Sequence, residues 1–194
     1  MDINAFFPTL VGTSVNPHHD IIQNELVSHC INLRSQVKSG GQGWLSNKTY
    51  NTSDGKYEIV TDKKFANLNS WVINEVFTYC KKVNIDVSSL TNNGSWFNIY
   101  ERNDFQENHV HPTSVVSAIY ILTCEKDGAR IFLNSPVNNM YYVKQSGISQ
   151  ETVSQVICNS VPGTLIVFPS YLLHAVERHE SNHLRISLSY NFKQ

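Results

Sequence analysis

Five residues in the second half of this 194-residue chain have the types and spacing of a metal site with an anion anchor. His109 and His111 stand two apart in "ENHVHP", so on an extended strand both imidazoles point to one face. His174 closes the apolar run "VFPSYLLH", Arg185 follows it by eleven positions, and Ser187 shares Arg185's strand face. Two imidazoles from one strand and a third from a distant strand would hold a divalent metal on one side and leave the other side open to further ligands. A buried arginine, with its planar fork of donors, suits the carboxylate of a small ligand, and a nearby hydroxyl assists. A lone strand histidine or arginine usually does no more than satisfy a local hydrogen bond. The joint spacing carries the reading.

A second histidine pattern competes with the first. "HESNH", His179 to His183, matches H-E-x-x-H letter for letter. That motif holds zinc only on a helix, where residues four apart share a face. Here it is polar throughout and lies between "GTLIVFPSYLLH" and "LRISLSYNF", both patterned as strands. His179 and His183 are therefore read as non-ligands, as is His29. His18 and His19 are read as solvated residues at a helix start.

The elements that must position these residues divide the chain in two. Residues 1–90 read as helical. Asn16 and Pro17 supply an N-cap and first-turn proline, and Ile22, Leu26, Cys30, Leu33 and Val37 recur at helical spacing. "KSGGQGW" ends that helix, and a loop follows with Trp44 and Tyr50 as attachments to the core. A second helix is predicted over Lys63 to Val83, with Leu68, Trp71, Val72, Glu75, Val76, Tyr79 and Val83 on its packing face. Residues 91–194 change to a period of two. "GSWFNIY", "SVVSAIYILT", "ARIFLNS", "SQVICNS", "GTLIVFPS" and "LRISLSYNF" read as strands, parted by turns such as Asp127-Gly128 and Pro162-Gly163. Many short strands without helices between them predict a mainly β, α+β domain: a jelly roll with N-terminal helices packed outside. One domain over 1–194 is expected.

Composition narrows the partners. Fifteen basic against sixteen acidic residues give no electrostatic case for nucleic acid or an anionic membrane. No apolar run is long enough to span a bilayer, and the start, "MDINAFFPTLVG", does not read as a signal peptide. Cys30, Cys80, Cys124 and Cys158 are scattered without a C-x-x-C pair and read as buried thiols. N-x-S/T triplets at Asn47, Asn51 and Asn93 matter only in a secreted chain. A cytoplasmic location is expected, and an exposed edge strand would support a homodimer.

With these residues in place, the chain resembles the Fe(II)/2-oxoglutarate-dependent dioxygenases. Their signature is H-x-D/E, a distal histidine, and then an arginine after ten intervening residues, often as R-x-S. "HAVERHESNHLRIS" meets the distal half at His174, Arg185 and Ser187. It is most similar to a 2-oxoglutarate–Fe(II) oxygenase family of bacteria and marine phages, from "FFPTLV" through "GWLS", "HVHP", "SAIYIL" and "LIVFPSYLLHAVE" to "RISLSYNF". The resemblance implies a double-stranded β-helix, Fe(II) as the metal, and 2-oxoglutarate and O2 as cosubstrates. It implies a metal held by His109, His111 and His174, with Arg185 and Ser187 on the 2-oxoglutarate carboxylate. Asn98 and Tyr100, eleven and nine positions before His109, match an N-x-Y pair that some branches use to contact 2-oxoglutarate.

The chain departs from the wider superfamily at one point: His111 stands where a carboxylate is usual. The third ligand is therefore His111 or a carboxylate from elsewhere, with Glu107, on the same strand face, the obvious candidate; three histidines are preferred. The implied reaction is hydroxylation of a peptidyl or small-molecule substrate with release of succinate and CO2. "ARIFLNSPVNNMYYVKQSGISQ" and "GGQGWLSNKTYN" are expected to flank the pocket mouth. Two other classes fit parts of the pattern: a cupin-like Zn or Ni protein that uses no 2-oxoglutarate, and a non-catalytic jelly-roll binding module. Arg185 and Ser187 argue against the first.

Overall fold

The computed structural model describes residues 8–54, 56–126, 128–137 and 153–194. In chain order its elements are β1 (Gly12–Val15), α1 (His19–Arg34), β2 (Tyr50–Asn51) and α2 (Ala66–Lys82), then β3 (Thr91–Tyr100), β4 (Gln106–His109), β5 (Val116–Thr123) and β6 (Ile131–Asn134), and finally β7 (Gln155–Cys158), β8 (Thr164–Pro169), β9 (His174–Val176) and β10 (Arg185–Lys193). Two 3₁₀ turns, Ile59–Thr61 and Lys63–Phe65, lead into α2. The strands form a six-stranded antiparallel sheet, β1-β8-β5-β10-β3-β2, and a four-stranded one, β4-β9-β6-β7. This is the double-stranded β-helix that the strand pattern predicts, with helices outside.

Period-two alternation decides what each face of the large sheet does. Ile186, Leu188, Tyr190 and Phe192 of β10 join Phe97, Ile99, Tyr120 and Leu122 in one buried cluster with Leu26, Cys30, Val72 and Val76 of the two helices. Each such aliphatic side chain contributes about 1.5–3 kcal/mol by leaving water. The alternate β10 residues, Arg185, Ser187, Ser189 and Asn191, are polar and equally buried. They face the interior between the sheets, where a smaller apolar cluster of Ile119, Ile121, Ile131, Leu133, Ile166 and Phe168 packs.

The helices differ from expectation in detail. α2 keeps Leu68, Val72, Val76 and Tyr79 buried, and its predicted first turn is the 3₁₀ turn Lys63–Phe65. α1 begins at His19, so Asn16 is not its N-cap. Asn16 instead closes a turn of its own, its Oδ1 accepting from the His18 amide at 2.9 Å. His19 is buried rather than solvated, with Nδ1 2.8 Å from the Tyr120 hydroxyl. Gly163 makes this burial feasible: its φ is +83°, and a Cβ there would stand 2.9 Å from the His19 ring. Trp44 is not a core attachment, being 39% exposed, whereas Tyr50 is buried and donates to the Val37 carbonyl. Asp127 of the predicted Asp127-Gly128 turn lies outside the described residues, as do residues 138–152 of one expected rim segment. No helix among the described residues is long and apolar enough to cross a membrane.

Candidate metal centre

β4 and β9 pair so that His109 stands directly across from His174. β4 ends at His109, and His111 follows just past its end, its amide donating to the Ser170 carbonyl at 2.9 Å. The three rings converge: centroids are 4.1 Å apart for His109 and His174, 5.0 Å for His109 and His111, and 5.2 Å for His111 and His174. One ligand atom from each lies within 4.8 Å of the others. That spacing fits one small cation at their centre.

The protonation states suit it too. Nδ1 of His109 donates to the Glu107 carbonyl and Nδ1 of His174 to the Leu172 carbonyl, each at 2.8 Å, which leaves both Nε2 lone pairs free. Burial lowers the pKa of His109. Burial, then the His109 charge, bring His111 to about 4 and His174 to about 3. All three imidazoles are therefore neutral at pH 7, the form that binds metal.

Glu107 points elsewhere. Its Oε1 accepts from the Leu45 amide at 2.7 Å, and its Oε2 accepts from the Ser46 amide at 3.2 Å and Gln106 Nε2 at 3.1 Å. Burial pushes the Glu107 pKa up, but hydrogen bonds from Ser46 and Leu45 outweigh it and hold the group below its ordinary value. Its work is to pin the 41–46 loop beside β4. That loop lays the Trp44 indole edge-on to His109 at 5.1 Å, while Trp96 from β3 meets His111 at 5.7 Å.

Arg185 is fully buried at the start of β10. Its Nε donates to the Ala129 carbonyl at 3.1 Å and Ser160 Oγ at 3.2 Å, and its Nη1 donates to Ser187 Oγ at 3.2 Å. The guanidinium carbon lies 4.6 Å from the Tyr100 ring centroid. Nη2 is buried without any partner. An unpaired N–H on a buried cation is costly, and a carboxylate is the group that would complete it. Asn98, two residues before Tyr100, donates to Ser189 Oγ at 3.3 Å.

A cavity of about 390 Å³ is lined by the three histidines and by Tyr100, Asn98 and Ser187 among others, and Arg185 stands behind Tyr100 and Ser187. Its volume is enough for a five-carbon diacid and part of a second ligand. The expected rim segment "GGQGWLSNKTYN" contributes Gly41, Trp44, Ser46 and Asn51, and the walls also include residues that the sequence reading passed over: Glu58, Trp96, Ser117 and Asn191. The polar alternation Arg185, Ser187, Ser189, Asn191 against apolar neighbours was a usable signal for the last of these. Glu58, outside the strands, carries no such signal.

His179 and His183 do not converge on a metal. Residues 177–184 are irregular, not helical. His179 is fully buried, its Nδ1 accepting from the Ala129 amide at 3.2 Å and its Nε2 donating to the His183 carbonyl at 2.6 Å. His183 is exposed.

A double-stranded β-helix holding three clustered imidazoles, with a buried guanidinium at the start of β10, defines the class: a jelly-roll protein with a candidate metal centre. The particular family follows from sequence comparison. The profile of the family described as "Putative 2OG-Fe(II) oxygenase" matches residues 94–191, and the chain belongs to that family. It is accordingly a 2-oxoglutarate-dependent oxygenase that uses Fe(II). No curated protein matches the sequence. Solved structures with the same fold include a prolyl-4-hydroxylase from Pseudomonas putida, 13% identical, covering 96% of this chain and 93% of its own, with a TM-score of 0.64. The viral collagen prolyl hydroxylase of Paramecium Bursaria Chlorella virus-1, in its 2-oxoglutarate complex, is 14% identical over 94% of each chain, with a TM-score of 0.61. HygX from Streptomyces hygroscopicus, solved with nickel, 2-oxoglutarate and hygromycin B, is 10% identical over 95% of this chain and 83% of its own, with a TM-score of 0.63.

Proposed function

We propose that His109, His111 and His174 hold the Fe(II), that Arg185 and Ser187 bind the distal carboxylate of 2-oxoglutarate, and that Asn98 and Tyr100 orient it, for hydroxylation of a peptidyl or small-molecule substrate. The observation that carries this reading is the unpaired Nη2 of fully buried Arg185, whose neighbours Ser187 and Tyr100 line the same cavity as the three imidazoles. Ser187, already accepting from Nη1, completes the anchor with its hydroxyl. Tyr100 covers the guanidinium and keeps water from it, which strengthens an ion pair at that end. The engagement of Glu107 with the 41–46 loop supports His111 as the third ligand.

When bound, Fe(II) with 2-oxoglutarate and O2 couples loss of CO2 from the keto acid to placement of one oxygen atom in a substrate C–H bond and the other in succinate. The chain's own part is geometric. Hydrogen bonds at Nδ1 fix the ring orientations of His109 and His174, and the carbonyl of Ser170 fixes the backbone of His111. The two indoles narrow the approach to the imidazole cluster.

The test is an anaerobic titration with Fe(II) and then 2-oxoglutarate, following the visible metal-to-ligand charge-transfer band. A band that weakens in Arg185→Ala and disappears in His111→Ala is the expected result. Survival of the band in His111→Ala transfers the third-ligand role to Glu107. Stoichiometric iron without any band leaves a cupin-like metalloprotein.

A further inference from the structure

The face of β3 and β10 that looks into the cavity forms a graded floor. Tyr100 pairs with Arg185, Asn98 with Ser187 and Trp96 with Ser189, with Asn191 beyond. At about 3.4 Å per residue, Arg185 and Asn191 are roughly 20 Å apart along β10. The Arg185 end is occupied by the cosubstrate in the function proposed above, and the inference here rests on that reading. The opposite end must then receive the substrate.

That opposite end has a distinct chemistry. Ser117 and Asn191 are buried there and already bonded to one another, Ser117 Oγ donating to Asn191 Oδ1 at 2.7 Å. Among the described residues, Glu58 is the one acidic side chain lining the cavity. It is half-buried, and its Oε2 is held by the Ser95 amide at 2.6 Å and Ser95 Oγ at 2.8 Å. Among the described residues Oε1 has no hydrogen-bond partner and Glu58 has no ion pair. The next residue after Ser95 is Trp96, whose indole meets His111, and the Trp44 indole meets His109. A carboxylate held in the wall of the same cavity as two indoles that meet the metal ligands is an arrangement that selects a cation on a flexible apolar stem.

We infer that the substrate carries an ammonium or guanidinium group, as a lysine or arginine side chain does. Its cationic head pairs with Glu58 Oε1, and its methylene stem passes between Trp44 and Trp96. A stem C–H bond is then presented beside the imidazole cluster. The reaction balances with the cosubstrates named above: one methylene C–H becomes C–OH, 2-oxoglutarate loses CO2 by cleavage of its C1–C2 bond, and the second oxygen of O2 enters succinate. A neutral ring such as proline makes no use of Glu58.

The test is calorimetric binding to anaerobic, Fe(II)-loaded protein saturated with 2-oxoglutarate. The probes are L-arginine against L-citrulline and L-lysine against L-norleucine, each free and as the Nα-acetyl amide. Binding of the cationic member at least tenfold more tightly than its neutral isostere is expected, with the preference lost in Glu58→Gln. Tighter binding of the amides assigns a peptide substrate, and tighter binding of the free forms an amino acid. In air, the bound probe should gain one oxygen in mass. Equal binding of arginine and citrulline, a preference that survives Glu58→Gln, or binding of proline amide alone overturns the inference. If Glu58→Gln misfolds, the wild-type arginine–citrulline contrast decides alone. Failure of 2-oxoglutarate to bind in the same titration brings down the proposed function as well. Cosubstrate binding without a cationic preference removes only the substrate class.

Discussion

His174 and His179 lie five residues apart, are equally buried, and do opposite things. His179 spends both ring nitrogens on backbone groups, tying the loop at His183 to the strand entry at Ala129. His174 spends one, on the Leu172 carbonyl, and presents the other to two further imidazoles. A histidine is available to a metal when the fold leaves one lone pair unclaimed, and the letters around it do not decide that. The H-E-x-x-H match at His179 is a structural latch, and His109-x-His111 with the distant His174 forms the cluster.

Substitutions on either side of this contrast separate the two roles. His174→Ala should reduce metal affinity most, by 100-fold or more, as read by competition with a chelating dye, because one of three ligands is lost. Retention of stoichiometric, tight metal would show that the cluster is not the metal site. Arg185→Ala should raise the Kd of 2-oxoglutarate by about 100-fold, equivalent to ~3 kcal/mol for a buried carboxylate deprived of its cation, with metal content unchanged. His179→Ala should leave metal stoichiometry intact while destabilising the protein by about 2–4 kcal/mol in urea unfolding, from a cavity and two backbone groups left unpaired. An equal loss of metal in His179→Ala would erase the distinction.

Acid should act on the cluster in a defined direction. In the metal-free protein, His111 and His174 have folded-state pKa values of about 4 and about 3, below the unfolded value near 6.5. As pH falls below about 6.5 the unfolded chain takes up protons that the folded chain refuses, so stability declines. The decline from these two groups ends once pH passes below their folded values. Thermal unfolding of chelator-treated protein between pH 7.5 and 4.5 should show this slope, and His111→Asn should flatten it. The smallest effect is expected at exposed His183, where alanine should change stability by no more than about 0.5 kcal/mol.

The jelly roll was legible because its strands alternate, and the alternation on β10 separates Arg185, Ser187, Ser189 and Asn191 from Ile186, Leu188, Tyr190 and Phe192. The helix faces were legible for the same reason at a period of 3.6. Less legible were β1, β2, β4 and β9, short strands without the run of β-branched and aromatic residues that marks the equally short β6 and β7 segments. The burial of His19 was hidden as well, since it depends on Gly163, over a hundred positions away, lacking a side chain.

The sequence by itself determined the alternating strands, the helical faces, and the spacing that puts two histidines, a distant third and an arginine on inward-facing positions. These are properties of backbone period and residue type, which act locally. Only the tertiary structure decided which histidine keeps a free lone pair, that Glu107 serves the 41–46 loop, and that Glu58 reaches the cavity wall. Those outcomes depend on contacts between segments far apart in the chain, and hydrogen-bond partners are assigned only when the loops have closed.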